Sequence, residues 1–412
     1  MPPTPIPKND FFLTNEAIAK FIPIDKQSVS EFLLEASDAS LSNRRKPRFT
    51  YVIGSNGLGK SRALAKAATH LSEIPLGEQS TTVLCIAGGL YDRFSFRYPT
   101  PFVEYLGMRN PSNAVFHAVT DRSLLEMLLI GKLENPNIFN ILHKALNITF
   151  QFRLEYIKQE KSGKVDLERL IDGRKFSQAT FNTREIAIIR KFTENDINPE
   201  ELPTASAEIL LRLIKLRPKI TIKIIIDGEL RRFEELSSGE QSRILTYTKV
   251  ISKVKENSLV LIDEPESSLH LRWQAEFHKD LEQLTRHIKR LHVAVATHSP
   301  TLVTEAMRHS RSAQAVVLDE GGKHFTVYPP GTLESFDASM VDYFHISTFQ
   351  NDQVLREIAE AVGIFARDRN RRGDVETMLR RLKSQIFNLS DQEKDAIGRA
   401  LSLLREMKEI VP

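Results

Sequence analysis

The chain has 412 residues, 41% hydrophobic and 27% charged, a globular composition with room for roughly two to three domains. One cysteine, Cys85, excludes a disulfide framework and any cysteine-based zinc site and fits a reducing, cytoplasmic setting; no run of about 18 apolar residues exists, so no membrane span is expected. The 57 basic and 53 acidic side chains leave a net charge of +4, which permits contact with nucleic acid without arguing for it.

The first 11 residues are proline-rich, lack the apolar core of a signal peptide and are expected to be poorly ordered. Ser28–Ala36 reads as a short capped helix. Leu41–Arg48 is a basic connector, either a solvated loop or a stretch close to a nucleotide or a nucleic-acid backbone. Arg48–Ile53 is rich in strand formers. The next eight residues, Gly54-Ser55-Asn56-Gly57-Leu58-Gly59-Lys60-Ser61, fit GxxxxGK[ST] at every fixed position, and a helical pattern follows to Ile74. Glycines in such a turn let successive backbone N–H groups face phosphate oxygens. Lys60 would reach the β- and γ-phosphates of ATP, and Ser61 would ligate Mg²⁺. Ser80–Ala87 reads as the next buried strand, with Cys85 a small hydrophobe inside it.

From Asn113 to Leu230 helical patterns (Thr120–Leu133, Ala205–Leu216) alternate with β-rich runs (Ile148–Ile157, Ile220–Ile226), and Asp227-Gly228-Glu229 reads as a hairpin turn into Leu230–Phe233. No heptad run is sustained, so a compact mixed lobe is expected and a long coiled coil is not. Its basic residues Lys158, Lys161, Lys164, Arg169, Arg174 and Lys175 form either a solvated rim or a surface that follows phosphates.

Leu236-Ser237-Ser238-Gly239-Glu240-Gln241 then opens a helix running to Val254, with Ser237 or Ser238 as its cap and exposed N–H groups as an anion site. Ser258–Ile262 is an apolar run without period, as in a buried parallel strand. It ends in Asp263-Glu264, where one carboxylate can serve Mg²⁺ and the other can orient a water. Leu271–Leu291 reads as helix and holds the lone tryptophan, Trp273, as a packing or interface residue. His292–Ala296 reads as another buried strand, followed by Thr297-His298-Ser299-Pro300. Ala313–Leu318 and His324–Tyr328 suggest a hairpin around Glu320–Lys323. Asp352–Phe365, Val375–Phe387 and Asp391–Ile410 read as helices, the last with a Ser390/Glu393 capping box. The apolar face of that helix, Ile397, Ala400, Leu401, Leu404 and Met407, needs a partner in this chain, in its twin or in another protein. Arg367–Arg372 reads as a solvated, charged linker.

The serine–glycine helix start and the acidic strand end, at their separation and after a complete phosphate-binding loop, resemble the signature motif and Walker B of ABC-type ATPases, the superfamily that includes SMC-like and RecF-like proteins. The resemblance implies an α/β P-loop NTPase core with a mixed sheet. It divides the chain into 1–112, the N-terminal core; 113–230, an inserted α+β lobe; 231–330, the rest of the core; and 331–412, a helical region. It implies ATP and Mg²⁺ as cofactors, with Gly54–Ser61 around the phosphates and Ser61 and Asp263 on the metal. Glu264 becomes the catalytic base, aided by His298 as switch histidine and by Lys60. A head-to-tail homodimer or larger homo-oligomer follows, in which Ser237, Ser238, Gly239 and Glu240 of one copy close on the ATP of the other. The Gly88–Phe94 stretch lies where the family carries its Q-loop; no glutamine fits, which leaves Asp92 or Arg93 in its place, or a plain surface loop. His270, at the D-loop position, resembles the OLD-like and RecF-related branch, and Tyr91–Phe94 with Tyr105–Arg109 resembles stand-alone defence ATPases related to the OLD family. The nearest resemblance is to the PtuA-like ATPases of Septu and retron antiphage systems, which act with an HNH nuclease. It implies an ATPase subunit that senses a trigger and controls a separate effector. A RecF-like repair ATPase that binds DNA itself and a nucleotide-gated scaffold that does not turn over remain as alternatives.

Overall fold

The computed structural model describes residues 28–41, 46–75, 81–89, 92–95, 97–107, 121–159, 163–165, 181–216, 218–318, 324–330, 336–347 and 353–409. The proline-rich start, Met108 and Arg109, the turn at Glu320–Lys323, and Lys161, Arg169, Arg174 and Lys175 of the basic rim lie outside them. In chain order the elements are α1 (Val29–Leu41), β1 (Arg48–Ile53), α2 (Lys60–Ser72), β2 (Thr82–Ala87), β3 (Val103–Tyr105), α3 (Asp121–Glu134), α4 (Ile138–Leu146), β4 (Ile148–Gln159), β5 (Gly163–Val165), α5 (Thr183–Glu194) and α6 (Thr204–Ile214). There follow β6 (Pro218–Ile226), β7 (Glu229–Arg232), α7 (Ser238–Lys253), β8 (Ser258–Asp263), α8 (Leu271–Thr285), β9 (Leu291–Thr297), α9 (Pro300–His309), β10 (Ala313–Leu318), β11 (Phe325–Tyr328), α10 (Phe336–Asp342), α11 (Gln353–Arg367), α12 (Arg372–Gln385) and α13 (Asp391–Glu409).

The chain gathers into two compact units and passes between them four times. The first holds Thr50–Lys60 and Thr297 onward, with the described residues up to Phe32; the second holds Leu33–Phe49 and Ser61–Ala296. Within the first unit the strand order is β11-β10-β1, with β10 and β11 antiparallel. A buried polar pair, Gln314 Nε2 donating to Thr50 Oγ1 at 2.9 Å, spans β10 and β1. Helices α11, α12 and α13 pack on one another around Val354, Ile358, Phe365, Val375, Leu379 and Leu404. That cluster answers what covers the apolar face of α13: Ile397, Ala400 and Leu404 are buried against their own chain. The last helix starts as expected, with the Glu393 carboxylate accepting from Ser390 N–H (2.6 Å) and Ser390 Oγ (2.7 Å).

In the second unit β9, β8, β2 and β3 lie side by side in that order, all parallel. Their central residues are fully buried, which is why Val83–Ile86, Leu259–Ile262 and Val293–Ala296 read as continuous apolar runs. The register sets Asp263 level with Ala87 on one side and Ala296 on the other, at the carboxyl end of the sheet. The same unit holds a separate antiparallel sheet in the order β5-β4-β6-β7. There the alternation is strict. Phe150, Phe152 and Leu154 face the core with Ile220, Ile222 and Ile224, while Arg153 (3.0 Å) and Lys223 (2.7 Å) on the other face pair with Asp196. Asp227 (φ 51°) and Gly228 (φ 83°) make the two-residue turn between β6 and β7, so Glu229 is the first residue of the return strand and not part of the turn.

Four helices differ from the sequence reading. Helix α8 ends at Thr285, although the helical pattern runs to Leu291; Leu291 is the first residue of β9, and parallel pairing with Ser258 takes it from the helix. Helices α4, α5 and α9 were not expected. Asn182 and Glu185 form a full capping box at the start of α5, a signal present in the sequence and passed over.

Candidate nucleotide site

The glycine-rich turn lies in the first unit. Gly57 (φ 88°) and Gly59 (φ 98°) occupy backbone conformations closed to side-chain-bearing residues, so the spacing of the glycines is set by the turn. Leu58 N–H donates to Ser55 C=O at 3.4 Å, and the buried Lys60 ammonium donates to the carbonyls of Gly54 (2.8 Å) and Ser55 (3.3 Å). The lysine is thus folded over the turn that precedes it. Ser55, Asn56 and Gly57 are exposed at its tip.

Ser61, the next residue, belongs to the second unit, and its hydroxyl donates to Asp263 Oδ1 at 2.8 Å across 202 residues of sequence. Asp263 is 3% exposed, and burial pushes its carboxyl up to about 6 despite the Ser61 hydrogen bond; Glu264, Asp92 and Glu266 push the same way. A hydroxyl and a buried carboxylate are hard oxygen donors of the kind Mg²⁺ takes, with phosphate and water completing its shell. Among the described residues no group of three or more His, Cys, Asp or Glu could hold a metal by itself.

Glu264 has φ 47° and ψ 57°, a left-handed conformation that costs a non-glycine residue energy and that Pro265 further disfavours. Its amide donates to Ala296 C=O (2.9 Å), and its carbonyl accepts from Ser267 N–H (3.2 Å) and Ser267 Oγ (2.9 Å). Gly88, just past β2, supports this corner: its N–H donates to Asp263 C=O at 2.8 Å, and a Cβ there would lie 2.4 Å from the Glu264 carbonyl oxygen. Sequence reading noticed Gly88 but not its purpose.

Of the two candidates for the missing glutamine, Asp92 is buried and Arg93 exposed. The Asp92 carboxylate accepts from Phe94 N–H (3.0 Å) and from the Tyr105 hydroxyl (2.9 Å). It is also one of the charges acting on Asp263, and on Lys249 of α7. Lys249 escaped the sequence reading. It is 6% exposed, and burial pulls its ammonium down to about 8, with Asp92 pulling the other way.

Helix α7 resolves the choice of cap: Ser237, not Ser238, is its N-cap. Ser237 Oγ accepts from Glu240 N–H (3.3 Å) and donates to Glu240 Oε2 (2.8 Å), and Ser237 N–H donates to the same oxygen (2.8 Å). Glu240 is thereby committed to its own helix start, while Ser237 and Ser238 stand exposed beside buried Gly239. Further along, Arg243 donates to Asp280 (2.6 Å) and Glu276 (3.3 Å) of α8 and lies 5.8 Å from the Trp273 ring, which makes the lone tryptophan a packing residue between the two helices. His270 caps α8 through Nδ1, which accepts from Arg272 N–H at 3.4 Å. In the first unit His298 is exposed between the end of β9 and α9, and Ser299 Oγ caps α9 by accepting from Leu302 N–H at 3.2 Å.

A family model described as "AAA domain, putative AbiEii toxin, Type IV TA system" matches residues 152–304, less than half of the chain, from β4 through the signature-like helix start and Asp263-Glu264 to the beginning of α9. No curated protein matches. Solved structures that resemble the chain include "An inward-facing conformation of a putative metal-chelate type ABC transporter", at 16% identity and a TM-score of 0.33, covering 74% of this chain and 82% of that one. Another is the SmcHead bound to the C-winged helix domain of ScpA, at 11% identity and a TM-score of 0.31, covering 68% and 89%. The fold is that of an α/β P-loop NTPase, and the family match over residues 152–304 is to an AAA domain. No helix among the described residues is long and apolar enough to cross a membrane.

Proposed function

We propose that the chain binds ATP with Mg²⁺ and hydrolyses it as the regulatory subunit of an antiphage complex whose effector, a nuclease, is a separate protein. The observation that carries the nucleotide reading is the 2.8 Å bond from the Ser61 hydroxyl to the buried Asp263, which sets two oxygen donors suited to Mg²⁺ side by side, one of them directly after the glycine-rich turn in sequence. In this reading the amides of Gly54–Ser61 and Lys60 hold the triphosphate, and Ser61 and Asp263 hold Mg²⁺, which neutralises charge on the phosphates. Glu264 orients or deprotonates the attacking water, and the exposed His298 contacts the γ-phosphate. Ser237, Ser238 and Gly239 of a second copy close the site, and Glu240 holds that helix start in shape. Residues 113–230 form a lobe inserted into the ATPase core of 1–112 and 231–330, and 331–412 a helical appendage.

The family match, whose description pairs an AAA domain with a type IV toxin–antitoxin system, supports a control role over a transport role. Glu264→Gln tests the chemistry. It should keep ATP binding, nearly abolish turnover and trap the dimer in size-exclusion chromatography; hydrolysis at the parent rate would remove Glu264 from the mechanism. Co-purification of the chain with a nuclease supports the defence role, whereas DNA-stimulated turnover of the chain alone supports the repair alternative.

A further inference from the structure

The C-terminal helical bundle carries a charge distribution that stability does not explain. Between Arg367 and Lys383 there are seven basic residues and three acidic ones. The three acids are already engaged: Asp368 accepts from Asn370 N–H (3.0 Å), Asp374 pairs with Arg371 (3.6 Å) and Glu376 with Arg380 (2.7 Å). Arg369, Arg372, Lys383 and, on the neighbouring helix α13, Arg405 have no carboxylate within ion-pair distance among the described residues.

The placement is also unfavourable to the helix that bears it. Arg369, Arg371 and Arg372 crowd the N-terminus of α12, where the backbone dipole favours acidic side chains and opposes cations, and Arg371 at the cap position makes no side-chain capping bond. Along the same helix Arg372, Glu376 and Arg380 follow one another at four-residue spacing and Lys383 continues the stripe, so they share one face about 16 Å long. Helix α13 packs against α12, and its Arg405 lies close enough to act on Glu376. Glu376 is the meeting point: its hydrogen bond from Arg380 holds the carboxyl below the usual range, and Arg372 and Arg405 add to the effect. Among the described side chains this is one carboxylate facing three guanidiniums, a positive face.

We propose that this face of α12 and α13 binds the phosphate backbone of a nucleic acid, without reading its sequence. A duplex carries one charge per about 1.7 Å of axis, so a stripe of about 16 Å faces on the order of ten phosphates, enough to engage every arginine of the cluster. Arginine suits the task, since its planar fork matches phosphate oxygens. The inference rests on the bundle alone and holds whether or not the nucleotide site works as proposed; within that proposal it makes nucleic acid the trigger.

The test is fluorescence anisotropy of a labelled, arbitrary-sequence duplex of about 30 base pairs, and of its single strand, titrated with the full chain without nucleotide. For three phosphate contacts the affinity should fall about 40-fold between roughly 50 and 200 mM salt. The triple change Arg369→Ala/Arg372→Ala/Arg405→Ala should weaken binding and flatten that dependence, whereas the three Arg→Lys changes should preserve it. Glu376→Gln, which removes the one shared carboxylate from a half-buried position, should tighten binding several-fold. Absence of binding at low salt, equal affinity and salt slope in the alanine variant, weaker or unchanged binding in Glu376→Gln, or binding to anionic phospholipid vesicles in place of nucleic acid would each overturn it.

Discussion

Gly88→Ala isolates how closely the end of β2 must approach the acidic corner after β8. The glycine is not needed for backbone freedom, since its φ lies outside the left-handed range. It is needed for space: the added methyl would sit 2.4 Å from the Glu264 carbonyl oxygen and 2.9 Å from Pro265 Cα, all of it backbone that cannot rotate away. Restoring the shortest tolerable contact of 3.0 Å requires the two segments to part by about 0.6 Å. Gly88 N–H also donates to Asp263 C=O, so parting strains that bond. Overpacking of this kind costs about 1–3 kcal/mol and should lower the melting temperature by on the order of 5 °C. Because Glu264 is proposed to position the attacking water, a shift of that size should reduce ATP turnover about tenfold or more while leaving nucleotide affinity nearly intact. Gly89→Ala is the internal control: its methyl would meet only Ser267 Oγ at 3.6 Å, an ordinary contact. Calorimetry and steady-state phosphate release on both variants decide the matter, and a Gly88→Ala protein indistinguishable from Gly89→Ala would refute the reasoning.

Acid should act on the second unit through His292. Its buried Nδ1 bonds to Ser37 Oγ at 2.8 Å, with Ser37 using its own proton on Leu33 C=O, and burial holds the imidazole down at about 3. The unfolded chain takes up that proton near pH 6.5 and the folded chain does not, so the stability this group permits is complete above pH 6.5 and declines as pH falls toward 3. Relative to His292→Gln, the parent should lose on the order of 2 kcal/mol between pH 7 and pH 5 in denaturant titrations; parallel pH profiles would count against it. Cys85 lies inside β2, with burial pushing its thiol up to about 12, so iodoacetamide at neutral pH should label it only under denaturing conditions, and rapid labelling of the native protein would contradict the buried strand.

What the sequence determined by itself is what forms within a few residues. The turn from Gly54 to Lys60 follows from glycines that alone reach its backbone angles. The helix starts at Ser28, Ser237 and Ser390 follow from capping boxes closed with Glu31, Glu240 and Glu393 three residues on. The Asp227–Gly228 hairpin follows from two residues that tolerate positive φ. Each is an exchange between near neighbours, so residue type and spacing suffice.

The tertiary structure decided the rest, because it depends on which strands lie side by side. That Ser61 meets Asp263, that Gly88 must make room for Glu264, and that Ser37 satisfies a histidine 255 positions away are consequences of strand order and register. No local pattern encodes those meetings. The same competition ended α8 at Thr285: the helical period continued in the sequence, but Leu291 gained more from pairing in a buried parallel sheet than from one further turn of helix.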